Sequence, residues 1–168
     1  FTSIKEEFKN AEKVLTKNGS DAVEFFISPN RGADAKSLAK IASGGELARV
    51  TLAMRSVLND RDGVGMAVFD EVDTGISGKT SRKVGIKLKE IGREAQVICV
   101  THSAQIASLA HTHLFVSKRE VEGRTESAVS LLDDEARVSE IARILGGIEI
   151  TSAQRVAALE MISEGKSY

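Results

Sequence analysis

Two short, nearly continuous apolar runs, residues 64–70 and 96–101, constrain this chain more than anything else in it. Such runs suit strands of a parallel sheet covered on both faces rather than strands with one wet face. Residues 79–94 lie between them and carry a helical period. At roughly 100° per residue, Val84, Leu88, Ile91 and Ala95 fall within about 60° of one another. Lys79, Arg82, Lys83, Lys87, Lys89 and Arg93 lie on the other side, diluted by Glu90 and Glu94. Strand, helix, strand in this order reads as a right-handed βαβ unit.

The remaining periodicities extend that unit into one α/β domain. Residues 2–17 read as a polar amphipathic helix through Ile4, Phe8, Ala11 and Leu15, ended by Asn18-Gly19. Residues 23–28 favour strand, and a polar loop follows to about Ala42. Leu47, Val50, Met54, Val57 and Leu58 mark one face of a helix that starts near Gly45. Residues 114–117 and 128–132 read as a hairpin turning at Glu122-Gly123-Arg124. Residues 135–145, stopped by Gly146-Gly147, and residues 152–163 read as two closing helices.

Composition narrows the function classes. At 168 residues, with 42 % apolar and 28 % charged, the chain can bury a real core and is not disordered. A net charge of −1 lacks the basic excess of a dedicated nucleic-acid domain, so any DNA contact must come from a local patch or from other parts of the molecule. One Pro, one Tyr and no Trp argue against polyproline recognition or a base-stacking platform. The lone Cys99 excludes an internal disulfide and a cysteine-based zinc site, and a reducing cytosol fits. The apolar runs are too short to span a bilayer, and no secretory signal is evident, so no membrane partner is expected. A chain that opens on Phe1 is expected to be a fragment or a processed piece.

Four features carry chemistry, in a fixed order. Ser43-Gly44-Gly45-Glu46 stands at a helix start, where two glycines allow close backbone approach and free N–H groups favour an anion. The plain alternative is a serine cap with glycines in a turn. Met66-Ala67-Val68-Phe69-Asp70-Glu71 is an apolar strand ending in two carboxylates, the pattern of a Walker B element. Alternation points Asp70 and Glu71 in different directions, so one can hold a hydrated Mg²⁺ while the other orients or deprotonates a water. A solvated acidic loop, with Asp73 nearby, is the alternative. Val97-Ile98-Cys99-Val100-Thr101-His102 ends a second strand in a histidine, either structural or a sensor of a nucleotide γ-phosphate. Residues 72–77 join the acidic strand to the next helix. Gly78-Lys79-Thr80 imitates the end of a P-loop, but the pattern needs glycine where Asp73 stands, and the strand before it already carries the acidic pair.

The order resembles the second half of an ABC-type ATPase head: signature motif, Walker B, D-loop and switch histidine. The wording from Lys40 to Arg49, Phe69 to Gly78 and Val100 to Ala107 resembles bacterial RecN, a DNA-repair family of the structural-maintenance-of-chromosomes (SMC) type. The similarity runs from about Gly19 to Met161. It implies an α/β fold, the C-terminal lobe of a P-loop NTPase head of ABC/SMC type: a mostly parallel sheet flanked by helices, with an N-terminal coiled-coil stub. Residues 1–18 would be the end of the returning coiled-coil arm, and residues 19–168 the lobe. Ser43, Gly44, Gly45 and Glu46 would bind the nucleotide held on the opposite head, with Asp70 on Mg²⁺, Glu71 polarising the attacking water and His102 touching the γ-phosphate. Ser77 departs from the D-loop aspartate of many ABC proteins.

The resemblance further implies ATP and Mg²⁺ as cofactors, and a cytoplasmic, nucleoid-associated setting. The implied partners are the N-terminal Walker A lobe of the same protein, a second head in a homodimer, and DNA through the full-length assembly. Without a Walker A the chain alone is expected neither to bind ATP tightly nor to hydrolyse it. Two other readings stand beside this one: half of an ABC-transporter nucleotide-binding subunit, and a non-catalytic module that contacts DNA through the basic face of residues 79–93.

Overall fold

The computed structural model describes residues 23–28, 32–40, 43–58, 63–121, 123–147 and 149–168. The expected helix over residues 2–17 and the coiled-coil stub lie outside the described residues. The elements are β1 (Phe26–Ile27), β2 (Lys36–Ser37), α1 (Gly44–Leu58), β3 (Met66–Phe69), α2 (Gly78–Ile91), β4 (Gln96–Cys99), α3 (Ala104–Ala107), β5 (Leu114–Val121), β6 (Arg124–Leu131), α4 (Asp134–Gly146) and α5 (Ser152–Lys166). A 3₁₀ turn at Leu38–Lys40 follows β2, inside the segment that reads as polar loop.

The βαβ unit is present. β3 and β4 pair in parallel, Met66 opposite Gln96 through Phe69 opposite Cys99, with α2 between them in sequence. Val100 N donates to Phe69 O at 2.9 Å and carries the ladder past the strand end. The other two pairs, β1–β2 and β5–β6, are antiparallel, so among the described residues parallel pairing is confined to β3 and β4. Side chains alternate across a strand, and only one face of this pair is covered. Ala67, Phe69, Val97 and Cys99 turn to a core of Leu52, Val72, Val84, Leu88, Ile91 and Ile106. On the other face Met66, Val68, Ile98 and Val100 stand in the open, Val68 at 62 % exposure. Coverage on both faces, expected from the continuous apolar runs, is therefore not met among the described residues.

Helix α1 departs from expectation in the same way. Its inward residues are Gly45, Leu52 and Arg55, with Ala48 packed against the core. The apolar stripe read from the sequence faces outward instead: Leu47, Met54 and Leu58 are exposed, and Val57 is 82 % exposed. The narrow inner face lets the helix lie close to the β3–α2 loop, where two side-chain bonds bolt it down. Arg49 Nη1 donates to Thr74 O at 2.7 Å and to Val72 O at 3.2 Å. Arg55 Nη2 donates to Val64 O at 2.6 Å.

Helices α4 and α5 form a second, self-contained core. Asp133 caps α4 by accepting from Ala136 N at 2.8 Å. Thr151 and Gln154 form a reciprocal capping box at the start of α5. Ile141, Ala142 and Ala158 are fully buried, joined by Val138, Ile162 and the α3 residues Ala104 and Ala107. Burying one such isoleucine is worth about 1.5–3 kcal/mol.

Candidate functional site

The acidic pair stands at the C-terminal end of β3, the end where open α/β sheets bind ligands. The strand stops because Glu71 takes a left-handed backbone, φ +57°, which costs a non-glycine residue order 1 kcal/mol and marks functional turns. The sharp turn that follows is closed by Thr74 N donating to Glu71 O at 2.9 Å. It leaves Asp70 and Glu71 exposed while sending Val72 and Asp73 inward. Asp70 Oδ1 accepts from Glu71 N at 2.9 Å, which fixes its carboxyl at the strand end.

The Ser43–Glu46 segment meets this turn from the side. Ser43 Oγ accepts from Glu46 N at 3.4 Å, a long cap at the head of α1. Gly45 is tightly enclosed: a Cβ there would come within 2.9 Å of Glu71 O and 3.0 Å of Thr74 O. A Cβ on Gly44 would stand 2.6 Å from Glu71 Oε2. Thus Ser43, Gly44, Gly45, Glu46, Asp70 and Glu71 are neighbours, with a carboxylate resting where the helix dipole is positive.

His102 follows the adjacent strand β4, and its side chain is 84 % exposed. What ties it to the acidic turn is Asp73, only 3 % exposed. Asp73 Oδ2 accepts from Thr101 Oγ1 at 2.6 Å and from His102 N at 3.1 Å, with His102 Nδ1 at 3.3 Å. Thr101 Oγ1 in turn accepts from Ser103 N at 3.0 Å. Asp73 therefore clamps the two strand ends together through Thr101 Oγ1 and His102 N, with one imidazole nitrogen nearby. Sequence reasoning placed Asp73 only in an acidic loop and missed Arg49 altogether. The available signal was Val72, an apolar residue inside an acidic stretch that must turn inward and take its neighbour along.

Cys99 lies on the covered face of β4, just below this clamp. Burial first, then the negative charges of Asp73 and Asp70, push its thiol up to about 12. It is a protonated packing group rather than a nucleophile.

Among the described residues no cluster of three or more His, Cys, Asp or Glu forms a metal cage. One strand-end carboxylate with an open second oxygen suits Mg²⁺, which keeps waters and shares its shell with substrate phosphates. The donor set thus fits a metal that arrives with a nucleotide.

The basic face of α2 is divided by its neighbours. Arg82 pairs with Glu164 at 2.7 Å and lies over the Tyr168 ring at 5.8 Å. Lys89 Nζ donates to Gly165 O at 2.5 Å, and Arg93 bonds Tyr168 O. Three of the six cations are therefore engaged by α5 and the residues after it, and the continuous solvated face read from the sequence does not form.

The fold is that of the C-terminal lobe of an SMC-type head. The chain resembles an SMC ATPase structure described for ATP-driven dimerization and DNA-stimulated activation, with a TM-score of 0.53, 25 % identity and 81 % of each chain covered. It also resembles the Smc head domain with a coiled coil and joint from Pyrococcus yayanosii, with a TM-score of 0.54 and 25 % identity over 85 % of this chain and 22 % of that one. In sequence it is 42 % identical to the DNA repair protein RecN of Halalkalibacterium halodurans over 156 residues, 93 % of this chain and 28 % of that protein. It is 41 % identical to RecN of Bacillus subtilis over 150 residues and 48 % identical to RecN of Xylella fastidiosa over 147 residues, each 26 % of the relative. The chain belongs to the RecN family and spans about a quarter of the length of the relatives it matches. No family model matches it. Among the described residues no helix is long and apolar enough to cross a membrane.

Proposed function

We propose that this chain is the C-terminal half of an ATPase head that engages a second head around ATP to hold or bridge DNA during repair. In this reading residues 1–18 are the end of a coiled-coil arm and residues 19–168 the lobe. The observation that carries it is the pair of adjacent parallel strand ends, Asp70-Glu71 on β3 and Thr101-His102 on β4, clamped by Asp73. Phosphoryl transfer needs little covalent chemistry from the protein and much positioning. Asp70 is placed to share Mg²⁺ with the nucleotide phosphates. Glu71 polarises the attacking water, and His102, its Nδ1 near Asp73, offers Nε2 to the γ-phosphate. The bound metal supplies charge neutralisation on the transferring group.

Ser43, Gly44, Gly45 and Glu46 serve the nucleotide of the opposite head. In the free lobe the Glu71 carboxylate occupies the space over Gly44, so head engagement requires that side chain to leave. The exposed face of β3–β4 and the outward stripe of α1 support a missing half: both are apolar and open. The partner is the Walker A lobe of the same protein, and the setting is the cytoplasm at the nucleoid.

The test is ATP turnover by the chain alone and after assembly with a polypeptide carrying the Walker A lobe, with and without Glu71→Gln. Turnover only in the assembly, reduced at least about a hundredfold by the substitution, supports the reading, since a positioned base is worth about 10²–10⁴. Turnover by the chain alone that is lost on Glu71→Gln contradicts it. The alternative of a free-standing DNA-binding module predicts salt-dependent duplex binding by the chain alone that is lost on reversing Lys83 and Lys87.

A further inference from the structure

A second polar site lies away from the strand ends. The C-terminal parts of α2 and α5, the residues after α3 and the side of α4 enclose a cavity of about 290 Å³. Lys89 stands 11 residues beyond the first residue of α2, roughly 16 Å along that helix from its N-terminal end. Its charged and titratable lining is basic: Lys89, Arg93, His111, Arg137 and Lys166, with no carboxylate side chain among the lining residues.

Helix ends account for part of this charge, because cations favour carbonyl termini. Arg137 Nη2 donates to Ser108 O at 3.0 Å and Ala110 O at 2.5 Å, with Ala107 O at 3.4 Å. Lys89 and Arg93 each bond one backbone oxygen of the C-terminal segment, Gly165 O and Tyr168 O. Those bonds leave a remainder. Arg137 Nε and Ser108 Oγ, on residues 7 % and 1 % exposed, are buried without a hydrogen-bond partner. A buried donor without a partner is rare and costly. Lys166 and His111 line the same cavity. Burial, then Arg137 and Arg93, lower the affinity of Lys89 for its proton, which is the signature of cations crowded without a counter-ion. Asp134 and Glu140 act electrostatically on Arg137 and His113, but neither lines the cavity.

We propose that this cavity binds a phosphate oxyanion between Lys166 and Arg93, over a floor lined by the unpartnered side chains of Arg137 and Ser108, whose buried Nε and Oγ reach the anion only when those side chains shift. An oxyanion there would neutralise the cluster through charge-assisted bonds. The phosphate has two possible sources, a small phosphate compound or the backbone of duplex DNA, and both present the same oxygens.

The experiment titrates inorganic phosphate, and separately a 20-base-pair duplex, into the intact chain at low salt. The variants are Lys166→Gln, Arg93→Gln and, as a control on the far part of α2, Lys83→Gln. Phosphate binding is expected to weaken about tenfold in each of the first two variants and not in the control, the loss expected for one charge-assisted bond. Duplex binding that weakens in the same variants and is competed by phosphate assigns the site to the DNA backbone. Phosphate binding that the duplex does not compete assigns it to a small phosphate compound. Absence of binding by either probe, or binding that Lys166→Gln and Arg93→Gln leave unchanged, overturns the proposal. The outer residues chosen carry no core contact, and Arg137→Lys, which keeps the charge but removes Nε, gives a second reading on the buried donor. Unaltered phosphate affinity in a folded Arg137→Lys also counts against it.

Discussion

The α4–α5 pair and the β3–β4 pair are built from similarly apolar sequence and end in opposite conditions. In the helical pair Val138, Ile141 and Ile162 are buried together with small residues of α3, although Leu145, Val156 and Leu159 stay exposed. In the sheet pair one face is packed, yet among the described residues Met66, Val68, Ile98 and Val100 on the other face stay largely exposed. The difference is one of pattern: the helices leave single apolar side chains open, whereas the sheet pair leaves the whole of one face open. The chemistry-bearing residues Asp70, Glu71 and His102 all sit on the second, at its open end.

The comparison is tested most strongly in the closed unit. Ile141→Ala should lower unfolding stability by about 2–5 kcal/mol, read as a drop in the denaturant midpoint, because its cavity cannot collapse. A smaller loss would mean that the helical core is looser than its burial indicates. Next comes the clamp between strand ends. Asp73→Ala leaves Thr101 Oγ1 and His102 N without their acceptor and should cost about 1–3 kcal/mol. Hydrogen exchange at His102 N should quicken in parallel. On the bare face, Val100→Ser should shift stability of the chain alone by no more than about 0.5 kcal/mol. A loss as large as that of Ile141→Ala would show that the face is already covered.

Cys99 gives the smallest effect, a test of the covered face. With its thiol pushed up to about 12 against a usual 9.0, alkylation at pH 8 should be far slower than for an unfolded control. It should rise about tenfold per pH unit as thiolate forms. The sign for stability follows from the same shift: the folded state holds the proton more tightly. The thiol's contribution is therefore full below about pH 9 and is lost as pH rises towards 12. Relative to Cys99→Ala, the wild-type chain should lose stability over that window.

Much of this was legible in the sequence. The two strand runs, α2 between them, and the extents of α4 and α5 follow from period and caps, because those signals are local. The direction of α1 was not. Leu47, Met54 and Val57 mark an apolar stripe, but a stripe states what wants cover, not whether this stretch of polypeptide supplies it. The continuous apolar run of β3 misled in the same way: it announces two covered faces, and the described residues cover one. Asp70, Glu71 and His102 stand at strand ends as their positions predict. Asp73 and Arg49 depend on the left-handed turn at Glu71, a conformation that no propensity favours for glutamate. The pairing of α2 cations with α5 is long-range and leaves no local trace.

The most direct test of a half-built head is association. The chain, as wild type and as Val68→Asp with Val100→Asp, is titrated with a polypeptide carrying the Walker A lobe, alongside thermal unfolding of each form. The account predicts that the wild-type chain binds, and that the double substitution abolishes binding while leaving the melting temperature of the chain alone nearly unchanged. Undiminished binding by the doubly substituted chain would contradict it, since the bare sheet face would then not be the surface that the rest of the head covers.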